Sequence, residues 1–195
     1  YNSQYSDDPA AAPGRLENIM ETISSKNEEY QIITPEPAED QDILRVHSQQ
    51  QLHWIKDDPL LFELSALAAG GAIKTAEESF DGNPAFAVIR PPGHHASTNS
   101  CWGFCFINNM SVSLLKLFAE NKIKSAFVLD FDLHTGDGNI NILENRDDGF
   151  KVNILKLSNT FFHRSFRCLK LNRFHTKTRQ YGSDSGVFSL IKELV

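Results

Sequence analysis

Cysteine is scarce in this chain of 195 residues: only Cys101, Cys105 and Cys168 are present. An odd number gives no disulfide framework, so a reducing cytoplasm is the default compartment. No apolar run approaches the ~20 residues needed to cross a bilayer. The opening Tyr1-Asn2-Ser3-Gln4 has neither the basic segment nor the apolar region of a secretory signal. It also lacks an initiator Met, and residues are expected to be missing upstream. Excess positive charge is absent too. The net charge of −6 gives no general attraction to nucleic acid or to an anionic membrane, so neither is expected as a partner. Gly70-Gly71-Ala72-Ile73-Lys74-Thr75 is not a phosphate-binding loop, because no Gly precedes the Lys directly. Ser183-Asp184-Ser185 between Gly182 and Gly186 is not a nucleophile elbow, because its centre is Asp184. No internal repeat or low-complexity tract is visible.

What is present fits a globular domain with a sizeable core: 41% of residues are hydrophobic and 23% charged. The charge is unevenly spread. Residues 1–158 hold 12 Lys+Arg against 23 Asp+Glu, whereas residues 159–195 hold 7 against 2.

Periodicity gives an alternation of helices and strands. Residues 15–26 carry Leu16, Ile19, Met20 and Ile23 at helical spacing. Residues 30–34 form a short β-prone run ended by Pro35 and Pro37, and residues 43–55 read equally as strand or helix. Pro59 opens a long helix over 60–80 that tolerates Gly70-Gly71, a pair that implies close packing against a neighbour. Residues 85–89 are a continuous apolar run short enough for a buried strand, followed by a long Pro/Gly/Ser/Asn loop over 90–102. A helix over 107–121 and strands over 125–129 and 151–157 complete the pattern. This predicts an α/β fold with a mainly parallel sheet. Ligands bind outside the carboxyl ends of strands in such sheets, and the loops after Ile89 and Leu129 are dense in His and Asp.

Three clusters in those loops carry chemistry. In Asp130-Phe131-Asp132-Leu133-His134, the acidic and His residues recur with period two. If the strand continues, they project to one side, and burying them together is costly without a cation. Zinc accepts Asp oxygen and His nitrogen at ~2.0–2.2 Å, so Asp132 and His134 are candidate ligands. The ordinary alternative is a polar turn capping a strand. In Arg90-Pro91-Pro92-Gly93-His94-His95-Ala96, tandem histidines in a rigid loop can serve as acid and base, with Asp130 and Asp137 as candidate carboxylate partners. Two exposed loop histidines are the alternative. In Trp102-Gly103-Phe104-Cys105-Phe106-Ile107-Asn108-Asn109, Gly103 permits close approach to a ligand and Phe104 could form an apolar wall. The alternative is an aromatic lead-in to a helix, with Cys101 and Cys105 as small buried hydrophobes.

Taken together, R-P-P-G-H-H-A, then G-F-C-x-x-N-N, then V-L-D-x-D-x-H-x-G-D-G resembles the histone deacetylase family, which includes acetylpolyamine amidohydrolases. The resemblance covers roughly residues 5–157 and is most specific between 90 and 138. Thr135 stands where many members have a second His. The resemblance implies a three-layer αβα fold of the arginase/deacetylase type. It implies Asp132 and His134 as zinc ligands, His94 and His95 as proton-handling residues, and Asp130 and Asp137 as their partners. Gly103 and Phe104 correspond to the wall of an acyl-lysine tunnel. Asp130 belongs to a segment that holds a structural monovalent cation (K+) in many members. Arg15 corresponds to an arginine deep behind the metal. The implied activity is zinc-assisted hydrolysis of an N-acetyl amide, carried on lysine or on a small molecule such as a polyamine.

The family also needs a third zinc ligand, an Asp in S-A-G-F-D, and a Tyr in a later G-G-Y segment; this sequence contains neither. A catalytic domain over 1–157, truncated before the third ligand, and a divergent basic tail over 158–195 are therefore expected. The tail reads as a frameshift, a misassembled gene or a fused segment, or else as a genuine basic tail. Two other readings compete. A two-manganese ureohydrolase of the arginase type uses D-x-H-x-D, and Gly136 occupies the position of its bridging carboxylate. A degenerate binding protein would keep the fold without the chemistry. Oligomeric state is not legible.

Overall fold

The computed structural model describes residues 11–144 and 146–156. Among these residues the order is α1 (Glu17–Ser24), α2 (Asp40–Ile43), α3 (Gln49–Lys56), α4 (Pro59–Phe80), α5 (Asn109–Ala119), β1 (Ser125–Asp130), α6 (Asp137–Leu143) and β2 (Lys151–Lys156). The proposed tail over 158–195 and its charge shift lie outside the described residues.

The helix starts are local chemistry. Asp58 caps α4 by accepting the Leu61 N–H at 3.1 Å, and Pro59 occupies the first turn, where no intrahelical donor is required. Ser48 caps α3 through the Gln51 N–H, and Asn108 caps α5 through the Ser111 N–H at 2.9 Å. The stretch 43–55 that read as strand or helix is thus the last residue of α2, a turn over 44–48 and most of α3.

α4 and α5 pack together at the centre. Val112, Leu115 and Leu117 from α5 meet Ala69, Ala72 and Ala76 from α4 in one buried cluster. Fully burying a Val or Leu side chain contributes ~1.5–3 kcal/mol, so this seam is a substantial part of the apolar core. The close packing expected at Gly70-Gly71 is present: a Cβ on Gly70 would meet the backbone of Glu36 and of Ala38, where the Ala38 N–H bonds the Ala66 carbonyl at 2.8 Å. A buried charge also lies here. Asp42 of α2 pairs with Lys116 of α5 at 2.7 Å and with Arg45 at 3.3 Å.

β1 and β2 pair in parallel, from Ser125 opposite Lys151 to Asp130 opposite Lys156, with α6 in the crossover. Ala126 and Val128 face the helical core, while Phe127 (44% exposed) and Leu155 (46% exposed) lie on the face that no described helix covers. The α/β class and parallel pairing follow the sequence reading.

Three local readings need correction. Residues 85–89 are extended but form no strand among the described residues: only Ile89 makes a bridge. Ala87 and Ile89 are buried while Phe86 is exposed, so the run packs one side onto the core without a ladder. Residues 30–34 form no strand either, because Tyr30, Ile32 and Ile33 are solvent-exposed with no pairing edge beside them among the described residues. Finally, β1 ends at Asp130, so Asp132 and His134 sit in a bent segment and strand alternation does not set their directions.

Candidate active site

The loop after Ile89, the end of β1 and the start of α6 converge. His94 Nδ1 lies 3.1 Å from Asp130 Oδ2, and His95 Nδ1 lies 2.5 Å from Asp137 Oδ1. Both rings are buried, with centroids 4.0 Å apart and planes tilted by 45°. A histidine whose Nδ1–H is held by a carboxylate presents Nε2 as the basic nitrogen.

Four contacts hold this loop from outside. Asn108 Nδ2 donates to the Ala96 carbonyl at 2.9 Å, and Asn109 Nδ2 donates to the Pro91 carbonyl at 3.1 Å. The Asn139 N–H donates to the His94 carbonyl at 3.1 Å. His47 Nδ1 donates to the Ser97 carbonyl at 2.9 Å, while its Nε2 accepts the Asn108 N–H at 2.9 Å. This assigns His47 the neutral Nδ1–H form. Burial outweighs its backbone bonds and lowers its pKa from 6.5 to about 4.

Electrostatics separate the bases from the acids. Burial is the largest influence on His95 and lowers its pKa; the bond to Asp137 opposes that shift without reversing it. Burial pushes the Asp130 carboxyl up. His94, the Asp132 N–H and the Asn139 amide together outweigh burial and hold it below the ordinary value. Asp137 behaves alike: burial raises it, while bonds from His95 and from the Trp102 indole bring it down. Neutral His95 beside an ionised Asp137 is the protonation state of a general base at neutral pH.

Asp132 and His134 lie beside these pairs. Asp132 Oδ1 is 3.3 Å from His134 Nδ1, and the His134 ring centroid is 6.0 Å from that of His95. Two zinc ligands with ~2.0–2.1 Å bonds at a tetrahedral angle stand ~3.3–3.4 Å apart, so this donor pair fits two corners of a zinc site. Asp132 Oδ1 also takes the His134 N–H at 2.8 Å, which fixes the local bend. Among the described residues no group of three ligating side chains forms, so the remaining corners are not supplied there.

The Gly103-Phe104 segment is a tight turn. The Cys105 N–H bonds the Trp102 carbonyl at 3.1 Å, and the two central residues have φ of +60° and +64°. Gly103 is required twice, by this left-handed backbone and by crowding: a Cβ there would lie 2.7 Å from His95 Cδ2. Gly103 therefore leaves room for the candidate base, and Phe104 follows it at partial exposure. Cys105 is buried and Cys101 partly so, as expected of small hydrophobes. Arg15 is not brought here; it is exposed just before α1, and its neighbour Leu16 takes the buried position.

The profile of the histone deacetylase domain matches residues 10–168. This chain belongs to the histone deacetylase family. A "Probable deacetylase" of Methanothermobacter thermautotrophicus is 30% identical over 164 residues, covering 76% of this chain and 50% of that protein. The "Histone deacetylase-like amidohydrolase" of Pseudomonas aeruginosa is 31% identical over 157 residues, covering 72% of this chain and 41% of that protein. The crystal structure of the HDA15 HD domain superposes with a TM-score of 0.68 at 24% identity, covering 80% of this chain and 48% of that one. The fold is thus the deacetylase fold, and the chain spans half or less of the length of these relatives. No described helix is long and apolar enough to cross a membrane.

The sequence reading of this family member missed His47, Asn108, Asn109, Trp102 and Asn139 as site supports. Asn108-Asn109 did carry a signal, since Asn before an apolar helical run is a capping position. His47 carried none, because both its partners are backbone groups.

Proposed function

We propose that this histone deacetylase-family chain carries the proton-transfer half, and two of the ligands, of a zinc-dependent N-acyl amide hydrolase. The single observation that supports this is the packing of two His–Asp pairs beside a donor pair at zinc spacing. His95 acts as base through Nε2, taking a proton from the attacking water, and Asp137 holds its tautomer. His94, oriented by Asp130, shares in returning a proton to the leaving amine. Asp132 and His134 would hold the metal. Zinc, when bound, polarises the amide carbonyl and lowers the pKa of water. Gly103 and Phe104 line the approach of an acetylated lysine or small-molecule amide, and a structural K+ belongs near Asp130. The reducing cytoplasm is the proposed compartment.

The test is hydrolysis of a fluorogenic acetyl-lysine peptide by the full chain with added zinc. Turnover that disappears with chelator supports the reading. In the alternative reading, a catalytically inactive deacetylase-like chain, a hydroxamate binds without turnover. Binding of neither hydroxamate nor zinc would sink the proposal.

A further inference from the structure

We propose that Trp102 is a positioning residue for His95, fixing Asp137 in the orientation that keeps Nδ1 of His95 bonded and Nε2 as the available acceptor. The inference rests on the reading of His95 as the proton-handling base. Asp137 sits in the first turn of α6 with its side chain 49% exposed. A carboxylate so exposed ordinarily turns among rotamers and water donors. Here each oxygen has its own donor: Oδ1 meets His95 Nδ1 at 2.5 Å, and Oδ2 takes the Trp102 Nε1–H at 2.9 Å. Two donors from different directions define the carboxylate plane, and with it which oxygen faces the imidazole.

The same indole stacks on the imidazole it serves. Ring centroids of Trp102 and His95 are 3.7 Å apart with planes 29° from parallel, while His94 packs on His95 at 4.0 Å. A Cβ on the next residue, Gly103, would meet the Cδ2 edge of the same ring, so only glycine fits there. His95 is therefore cupped by one turn of chain, with Trp102 as its outer wall. Trp102 is itself 54% exposed, so burial in the core does not explain its position. A Phe would keep the stack and lose the N–H; only Trp supplies both at this reach.

The test uses the full chain, labelled with 15N and kept metal-free with chelator at constant pH. Long-range proton–nitrogen correlation of the imidazoles reads tautomers directly. The native chain should show His95 as a single Nδ1–H tautomer. Trp102→Phe should convert His95 to a mixture of tautomers while His47 stays unchanged. A single Nδ1–H tautomer for His95 in folded Trp102→Phe would overturn the proposal. Should that variant fail to fold, Asp137→Ala in a Trp54→Phe background reads the other end of the bond. The Trp102 indole proton should then move upfield, and an unmoved indole proton overturns the proposal. Neither measurement needs turnover, so an inactive chain tests Trp102 without testing the hydrolase reading.

Discussion

His47 Nε2 accepts the backbone N–H of Asn108 at 2.9 Å, which joins the turn between α2 and α3 to the cap of α5. The bond exists only while His47 is neutral. Its pKa is about 4 in the folded chain against 6.5 when unfolded. Between these values the unfolded chain binds more protons, so stability is complete above 6.5 and is lost as pH falls through that window. The loss is on the order of 3 kcal/mol, at ~1.4 kcal/mol per pKa unit. Urea melts of the native chain and of His47→Gln should converge as pH falls from 6.5 to 4. A gap that stays constant contradicts the assignment.

His95→Ala should cut turnover of any active preparation by a factor on the order of 10² or more, with the far-ultraviolet circular dichroism unchanged. Near-normal rates in this variant would remove His95 from the reaction.

Gly103→Ala should both destabilise the chain and displace the base. The left-handed backbone costs a residue with Cβ ~1–3 kcal/mol. The added carbon would also press on the His95 ring from 2.7 Å. The expected readout is a lower melting midpoint together with shifted His95 imidazole signals. A shift in stability alone would mean the ring tolerates the contact.

Lys116→Met removes one partner of Asp42, whose side chain is 2% exposed. Leaving a buried carboxylate short of a partner costs ~3–5 kcal/mol, and the remaining Arg45 contact places this site near the lower bound. Adding Asp42→Leu to Lys116→Met should recover much of the loss. Equal stability of the single and double variants would show that the charge is not the cause.

Zinc titration by calorimetry should give weak binding that His134→Ala abolishes and His53→Ala leaves intact. His53 is an exposed helix residue whose ion pair is with Asp57. Equal affinities in both variants would exclude Asp132 and His134 as the ligand pair.

How far these features could be read in advance depends on whether their causes are local. α4 was legible because Asp58, Pro59 and the apolar spacing after them act within a few residues. α6 was not, because Asp137-Gly138-Asn139 has the composition of a turn and is helical only where Gly138, Ile142 and Leu143 can bury. The strand expected over 85–89 has the right composition, but a strand also requires a partner, which composition does not supply. The His–Asp pairs were legible as sets of residue types. Their pairing spans 36 and 42 positions, and which Asp meets which His is set by where β1 stops.

The direct pairing of β1 with β2 across α6 has a consequence for assembly. Asp130, Asp132, His134 and Asp137 all lie on one β–α–β unit whose ends close over few residues, a low-entropy step. Once that unit has closed, both carboxylates that the two imidazoles meet stand within one short stretch of chain.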